Sequence, residues 1–141
     1  MKFDDIHKMI ESDSKLELAK LQEDSLRVPY LQGKYINMHS VENGKYRRYE
    51  LELKRLKFKK YEYYGGKALA EEYRDKPLDH TILKSDVQKY IDGDDDVFEL
   101  ENRMMNQKVK VDMLAEFIKS LSQRTFLIKS AIDYIKFTNG L

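Results

Sequence analysis

DDDVFELENRMMNQKVKVDMLAEFIKSLSQRTFLIKSAIDYIKFT, Asp94 to Thr138, contains neither glycine nor proline. Along it Val97, Leu100, Met104, Gln107, Val111, Leu114, Ile118, Leu121, Thr125, Ile128, Ile132 and Ile135 advance by alternating steps of three and four, and ten of these twelve are apolar. Such a register, sustained over more than five heptads, belongs to a helix that packs on other helices. Unbroken, it would span roughly 65 Å at ~1.5 Å per residue, more than a chain of 141 residues covers by itself. A second apolar set, Met113, Phe117, Phe126, Leu127, Tyr134 and Phe137, widens the face toward the C-terminus. That exceeds the seam of a two-stranded coil, so more than two chains are expected to meet there. The competing reading is a long helix or broken hairpin inside a monomeric bundle, with Ser120–Thr125 as the place for a break. Asp94 and its neighbours in DGDDD (92–96) supply an N-terminal cap with favourable dipole charge.

Working outward, the composition agrees with a mainly helical chain: two prolines, six glycines and 36% charged residues. At this length one domain-sized unit is expected. The absence of cysteine excludes disulfides and thiolate metal sites. No apolar run approaches the 18 residues of a membrane span, and the start MKFDDIHKMIESD lacks the apolar centre of a signal peptide, so a cytoplasmic protein is expected. The net charge of +1 conceals segregation, since residues 1–24 hold seven acids against four bases and residues 34–67 hold ten bases against four acids.

Before the long helix, Phe3, Ile6 and Ile10 mark a short amphipathic helix. Ser14-Lys15-Leu16-Glu17 fits a capping box that would open a second helix. Its stripe runs through Leu18, Leu21, Ser25, Val28, Gln32, Tyr35 and His39, with a kink or break expected near 25–29 at Pro29. Glu42-Asn43-Gly44 has turn chemistry, predicting a third helix from about 45 to 64 that Gly65-Gly66 ends. Residues 67–80 read as a helical turn and a loop, and 81–91 as a short helix.

The third helix carries the binding chemistry. At about 100° per residue, Tyr46, Tyr49, Leu53, Leu56 and Tyr63 share an inward face, while Arg48, Arg55 and Lys59 line the other side with Arg47 and Lys54 beside them. Leu51 and Phe58 fall between the cationic rows. A single nucleic-acid strand can use such a face, pairing phosphates with the cations and laying unstacked bases on the ring. Stacking contributes roughly 1–3 kcal/mol per base and tolerates any base. The plainer alternative is a solvated face with intrahelical ion pairs such as Glu50–Lys54, each contributing only ~0.2–0.5 kcal/mol. One row of charges would bind weakly, a deficit that an array of copies removes by multivalency.

Other motifs fail. Gly65-Gly66-Lys67-Ala68 imitates a phosphate loop, but Tyr61 replaces its first glycine and Ala68 its magnesium-binding hydroxyl. Asp92, Asp94 and Asp96 imitate a calcium loop, but Val97 stands at the required glycine and Arg103 at the bidentate glutamate. His7, His39 and His80 have no partners at metal or catalytic spacing. No enzyme and no cofactor is expected.

Two blocks resemble the UvsY recombination mediator family of T-even-like bacteriophages. The first runs from Lys20-Leu21-Gln22 through KYINMHS (34–40), similar to the family's K-W-L-N-K-H-S, then from Arg48-Tyr49-Glu50 to EYYGG (62–66). The second starts at Asp96-Val97 and finishes in RTFLIKSAIDYIKFTNG (124–140), similar to the family's R-G-F-A-I-K ending. Together they cover about two-thirds of the chain, leaving residues 1–15 and 67–95 unmatched.

The resemblance implies an all-α, non-enzymatic assembly factor in the cytoplasm of the infected bacterial host. Residues 1–93 would form a helical region that binds single-stranded DNA, and residues 94–141 a helical region that assembles a homo-oligomeric ring, taken as a heptamer. It also implies two protein partners, the RecA-like recombinase UvsX and the phage single-strand-binding protein that UvsX replaces. The family's DNA-binding run L-K-A-R-L aligns with Lys57-Phe58-Lys59-Lys60-Tyr61, so Phe58 takes its lysine position and Lys60 its arginine position. That exchange removes a planar bidentate phosphate clamp. The expected DNA-contacting set is Lys45, Arg47, Arg48, Lys54, Arg55, Lys57, Phe58, Lys59 and Lys60. The expected assembly set is Val97, Leu100, Met104, Val111, Leu114, Ile118, Leu121, Ile128, Ile132 and Ile135. A helical adaptor whose basic helix docks an acidic protein is the alternative.

Overall fold

The computed structural model describes residues 1–140. Five helices follow one another, α1 (Phe3–Asp13), α2 (Leu21–Tyr64), α3 (Ala70–Asp75), α4 (Val87–Asp92) and α5 (Asp95–Thr138), with single 3-10 turns at Leu18–Lys20 and Lys84–Asp86. No strand occurs among the described residues, so the all-helical expectation is met.

The Asp94–Thr138 stretch forms one 44-residue helix with no break at Ser120–Thr125. Arg124, only 5% exposed, holds that segment inside: its guanidinium donates to the Asp13 carbonyl at 2.9 Å and lies over the Phe117 ring. The helix starts where the sequence places its cap. Asp94 Oδ1 accepts the amide N–H groups of Asp96 and Val97 at 2.9 and 3.1 Å, satisfying two of the donors a helix start leaves orphaned.

Three expectations for the first half fail, each because a distant contact overrides a local signal. The Ser14 capping box does not form. Ser14 ends α1, its hydroxyl donating back to the Glu11 carbonyl, and α2 begins only at Leu21. The entry to α2 is fixed instead by buried Asp24, which accepts the Glu17 amide at 3.0 Å. Pro29 does not break α2. The ring lies on the exposed face, while Val28, Leu31 and Tyr35 on the other side are buried and hold the helix through the missing bond. Nor does Glu42-Asn43-Gly44 make a turn: α2 runs on to Tyr64, and Glu42 is buried with the chain's amino terminus 3.5 Å away.

The chain divides into two compact units, one made of Met1–Asn43 and the chain from Val109 on, the other of Gly44–Lys108. Each draws on both long helices. The core of the first packs Ile6 of α1, Leu31 and Tyr35 of α2, and Leu114, Phe117 and Leu121 of α5. Tyr35 meets the edge of Phe117 with ring centroids 4.5 Å apart, and its hydroxyl donates to Asp13 Oδ2 at 2.7 Å. Lys34 also reaches that oxygen at 2.9 Å, and Arg27 lies 3.6 Å from the other carboxylate oxygen. Burial pushes the Asp13 carboxyl up, but the bonds from Lys34 and Tyr35 and the nearby cations more than offset this, leaving it below its ordinary value. The core of the second unit packs Leu53 of α2 with Val87, Ile91 and Val97, and half-buried Leu56, Tyr64, Ile82, Leu100 and Met104 close around them.

Candidate nucleic-acid interface

The last five turns of α2 lie in the second unit and carry the basic residues. Leu53 anchors the inward side, flanked by half-buried Tyr46, Tyr49, Leu56 and Tyr63, as the periodicity predicts. The helix ends where two glycines follow it. Gly66 adopts φ 76°, a left-handed conformation that glycine tolerates without steric penalty. Its amide donates to Tyr63 O at 3.2 Å and that of Lys67 to Glu62 O at 2.9 Å, the paired bonds of a Schellman cap.

The outward face is cationic and apolar at once. Leu51 is 67% exposed and Phe58 65% exposed, one above the other at a spacing of seven residues. Arg47, Lys54 and Arg55 share their arc of the helix, with Arg48 and Lys59 at its edge, and all five are exposed. Arg48, Lys54, Arg55 and Lys59 make no ion pair or hydrogen bond with any described residue, so each keeps its full donor capacity for a ligand. The anticipated Glu50–Lys54 pair is absent. Glu50 is held by Arg47 instead, one guanidinium nitrogen lying 3.2 Å from both carboxylate oxygens.

The remaining expected contacts are placed differently. Lys45 is exposed but engaged within the chain. Lys57 sits to the side of the arc, 3.2 Å from Glu101 of α5. Lys60 points away from the arc into the acidic start of α5, 2.8 Å from Asp96 and 3.2 Å from Asp94, with its side chain only 16% exposed. Burial pushes the Lys60 ammonium down, but the hydrogen bonds and charges of Asp96 and Asp94 more than offset this, so it is held above its ordinary value and stays charged. The position aligned with the family's arginine is therefore occupied by a structural cation. Sequence reasoning overlooked exposed Tyr61, three residues from Phe58, which helical spacing alone would have placed beside it.

Asp94 ties this end of the unit together, because its other oxygen accepts the Tyr64 hydroxyl at 2.6 Å. Burial raises its carboxyl, yet the Tyr64 hydroxyl, the Val97 amide and Lys60 together bring it below the ordinary value. A depressed carboxylate contributes its full stabilisation above the ordinary range near pH 4 and loses it as pH falls through the folded-state value. Asp94→Ala should lower the unfolding free energy by about 2 kcal/mol, from a lost helix cap and an unpaired tyrosine hydroxyl. Asp94→Asn keeps a capping oxygen and should cost about half of that. Urea unfolding at one fixed protein concentration measures both. An equal loss in the two variants would show that the carboxylate charge, not the cap, carries the effect.

The ten expected assembly positions all lie on the inward stripe of α5. Val97, Val111, Leu114, Leu121 and Ile128 are buried, and Leu100, Met104, Ile118, Ile132 and Ile135 are half-buried. Toward its C-terminal end α5 leaves open Phe126, Leu127, Tyr134 and Phe137 of the second apolar set, the last 81% exposed, and farther up the same helix Phe98, Met105 and Val109 are exposed as well; Phe117 of that set is buried in the first core and Met113 is half-buried against it. Among the described residues no group of side chains could hold a metal ion, and no helix is long and apolar enough to cross a membrane.

A family model described as "Recombination, repair and ssDNA binding protein UvsY" matches residues 9–141. Crystal structures of the bacteriophage T4 recombination mediator protein UvsY share the fold. The lattice type II form has TM-score 0.85 at 21% identity, covering 99% of this chain and 98% of that one. The type IV form has TM-score 0.83 at 20% identity, covering 98% and 99%, and the type I form 0.83 at 22%, covering 95% and 98%. No curated protein matches.

Proposed function

We propose, for a chain that belongs to the UvsY family of recombination, repair and ssDNA-binding proteins, that the outward face of α2 holds single-stranded DNA so that a RecA-like recombinase can be loaded onto it. The observation that carries this reading is Phe58, two-thirds exposed on a helix whose neighbouring cations Lys54, Arg55 and Lys59 have no partner of their own. A large ring in water serves nothing in the fold. Framed by free cations it suits a polymer that alternates phosphates with flat bases.

Residues 1–93 supply this face, and the part from 94 on arrays copies of it through the apolar surface of α5 that the chain's own cores leave uncovered. In a homo-oligomeric ring, each α2 contributes a short cationic stretch to one continuous track. A strand laid on that track is bent or wrapped, which weakens the grip of the phage single-strand-binding protein and offers a conformation on which UvsX can nucleate. The protein's part is positional, and any ATP hydrolysis belongs to the recombinase.

Titrating salt against binding of a fluorescent single-stranded oligonucleotide tests the reading. Each neutralised phosphate contributes about −0.7 to the slope of log affinity against log salt. Four free cations per copy predict a slope steeper than about −2. A shallow slope, or binding only to an acidic protein partner, would favour the adaptor and defeat the proposal.

A further inference from the structure

Two asparagines of this chain precede a glycine, Asn43 and Asn139, and the other three precede larger residues. An Asn-Gly pair is chemically labile. The backbone nitrogen of the glycine can attack the side-chain carbonyl carbon of the asparagine, and with no Cβ beside it that nitrogen is the least hindered a chain offers. A C–N bond forms as the side-chain amide bond breaks, ammonia leaves, and a five-membered succinimide closes. Water then opens the ring at either carbonyl, giving aspartate or isoaspartate. No oxidant or reductant is needed, and water is the only co-reactant.

Sequence alone would assign the two pairs one fate, but the fold separates them. Asn43 and Gly44 lie deep inside α2, which continues to Leu21 on one side and Tyr64 on the other, and Glu42 beside them is buried. A helix blocks the attack twice. Its Cα–Cβ bonds tilt toward the N-terminus, carrying the Asn43 side chain away from the nitrogen that must reach it, and the Gly44 amide is committed to the carbonyl four residues back. Asn139 and Gly140 stand past Thr138, the last residue of α5, and both are exposed. Gly140 has left the helical conformation, with φ 74°, and its amide donates to the Phe137 carbonyl, three residues back, at 3.2 Å. Bonds at a fraying helix end open at almost no cost.

We propose that Asn139 is a site of spontaneous covalent modification, deamidating to aspartate and isoaspartate in the folded protein, while α2 protects the identical pair at Asn43. The product places a carboxylate at the negative end of the α5 dipole, two residues from exposed Phe137. The surface assigned to assembly therefore gains charge as the protein ages.

The test ages the full chain at physiological temperature and mildly alkaline pH, in buffer and in guanidinium chloride. Both pairs are followed by proteolysis and mass spectrometry, with isoaspartyl methyltransferase labelling to mark the isoaspartate. In buffer the peptide holding Asn139 should convert at least about 10²-fold faster than the one holding Asn43, since the middle of a packed helix is open in fewer than about one molecule in a hundred. In denaturant the two rates should draw together. Asn139→Gln, whose longer side chain must close a six-membered ring and does so far more slowly, should abolish conversion of that peptide and leave Asn43 as it was. Equal rates in buffer overturn the protection by α2. An Asn139 that stays intact while the denatured chain converts overturns the site. Neither result bears on the single-strand reading, which uses neither asparagine.

Discussion

Replacing Arg48, Arg55 and Lys59 together with alanine is expected to lower affinity for single-stranded DNA by about 10²-fold near physiological salt. Each exposed phosphate contact contributes about 1 kcal/mol, and about 1.4 kcal/mol is a factor of ten in affinity. Three lost contacts should also flatten the salt slope by about 2, at about 0.7 apiece. The loss should be the same for every base composition, because phosphate contacts carry no sequence information. Stability should scarcely change, since all three side chains are exposed and none is paired within the chain. Fluorescence anisotropy over a range of salt, with a thermal melt of the same variant, measures each part. Affinity and slope that both match the unaltered chain would refute the choice of this face. Lys60→Ala is the informative contrast: its ammonium is held by Asp94 and Asp96, so it should lose stability more than it loses DNA.

That contrast marks where the sequence was legible and where it was not. That residues 95–138 are helical could be read directly, because periodicity and the absence of breakers act locally along the whole stretch, but whether the helix breaks at Ser120–Thr125 could not, since burial of Arg124 against Asp13 and Phe117 decides it. The Asp94 cap and the Gly65-Gly66 stop were legible for the same reason, as each makes its bonds within a few residues. Pro29, the Asn43-Gly44 pair and the Ser14 box were misread because their local preferences amount to a few kcal/mol at most. Burial of Leu31 and Tyr35 beyond Pro29, at roughly 1.5–3 kcal/mol for a large side chain, outweighs such a preference. The cationic arc was visible in the spacing of α2 alone, but which cations remain free was not. Lys57 and Lys60 are occupied by Glu101, Asp94 and Asp96, partners 34 to 44 residues away that no local pattern announces. The inward stripe of α5 is ambiguous in another way. Its heptads state that the helix packs, but spacing does not say whether the partner helix belongs to the same chain, and Leu31 and Tyr35 of α2 already cover Leu114 and Leu121.

The outward set on α5 is therefore where assembly should be broken. Phe126, Leu127, Tyr134 and Phe137 fall within about 100° of arc on the helix, opposite buried Ile128 and half-buried Ile132 and Ile135. A helix apolar on both sides is stable in water only when both sides are covered. Phe126→Ser with Phe137→Ser should thus convert the assembled protein to monomers in sedimentation, without loss of helical circular dichroism, because neither ring belongs to a core of the chain. Truncation near residue 100 cannot separate these effects, since it would also remove Leu114, Phe117 and Leu121 from the first core. With the contact residues of α2 intact, the monomeric double variant should nevertheless bind a long single strand about 10²- to 10⁴-fold more weakly, the range by which multivalency raises overall affinity above that of one site. Binding of a strand too short to reach a second copy should not change. If the double variant keeps its assembled size, the surface has been misplaced. If it becomes monomeric and still holds long strands as tightly as the unaltered protein, arraying copies of α2 is not the source of affinity, and the clamp lies within a single chain.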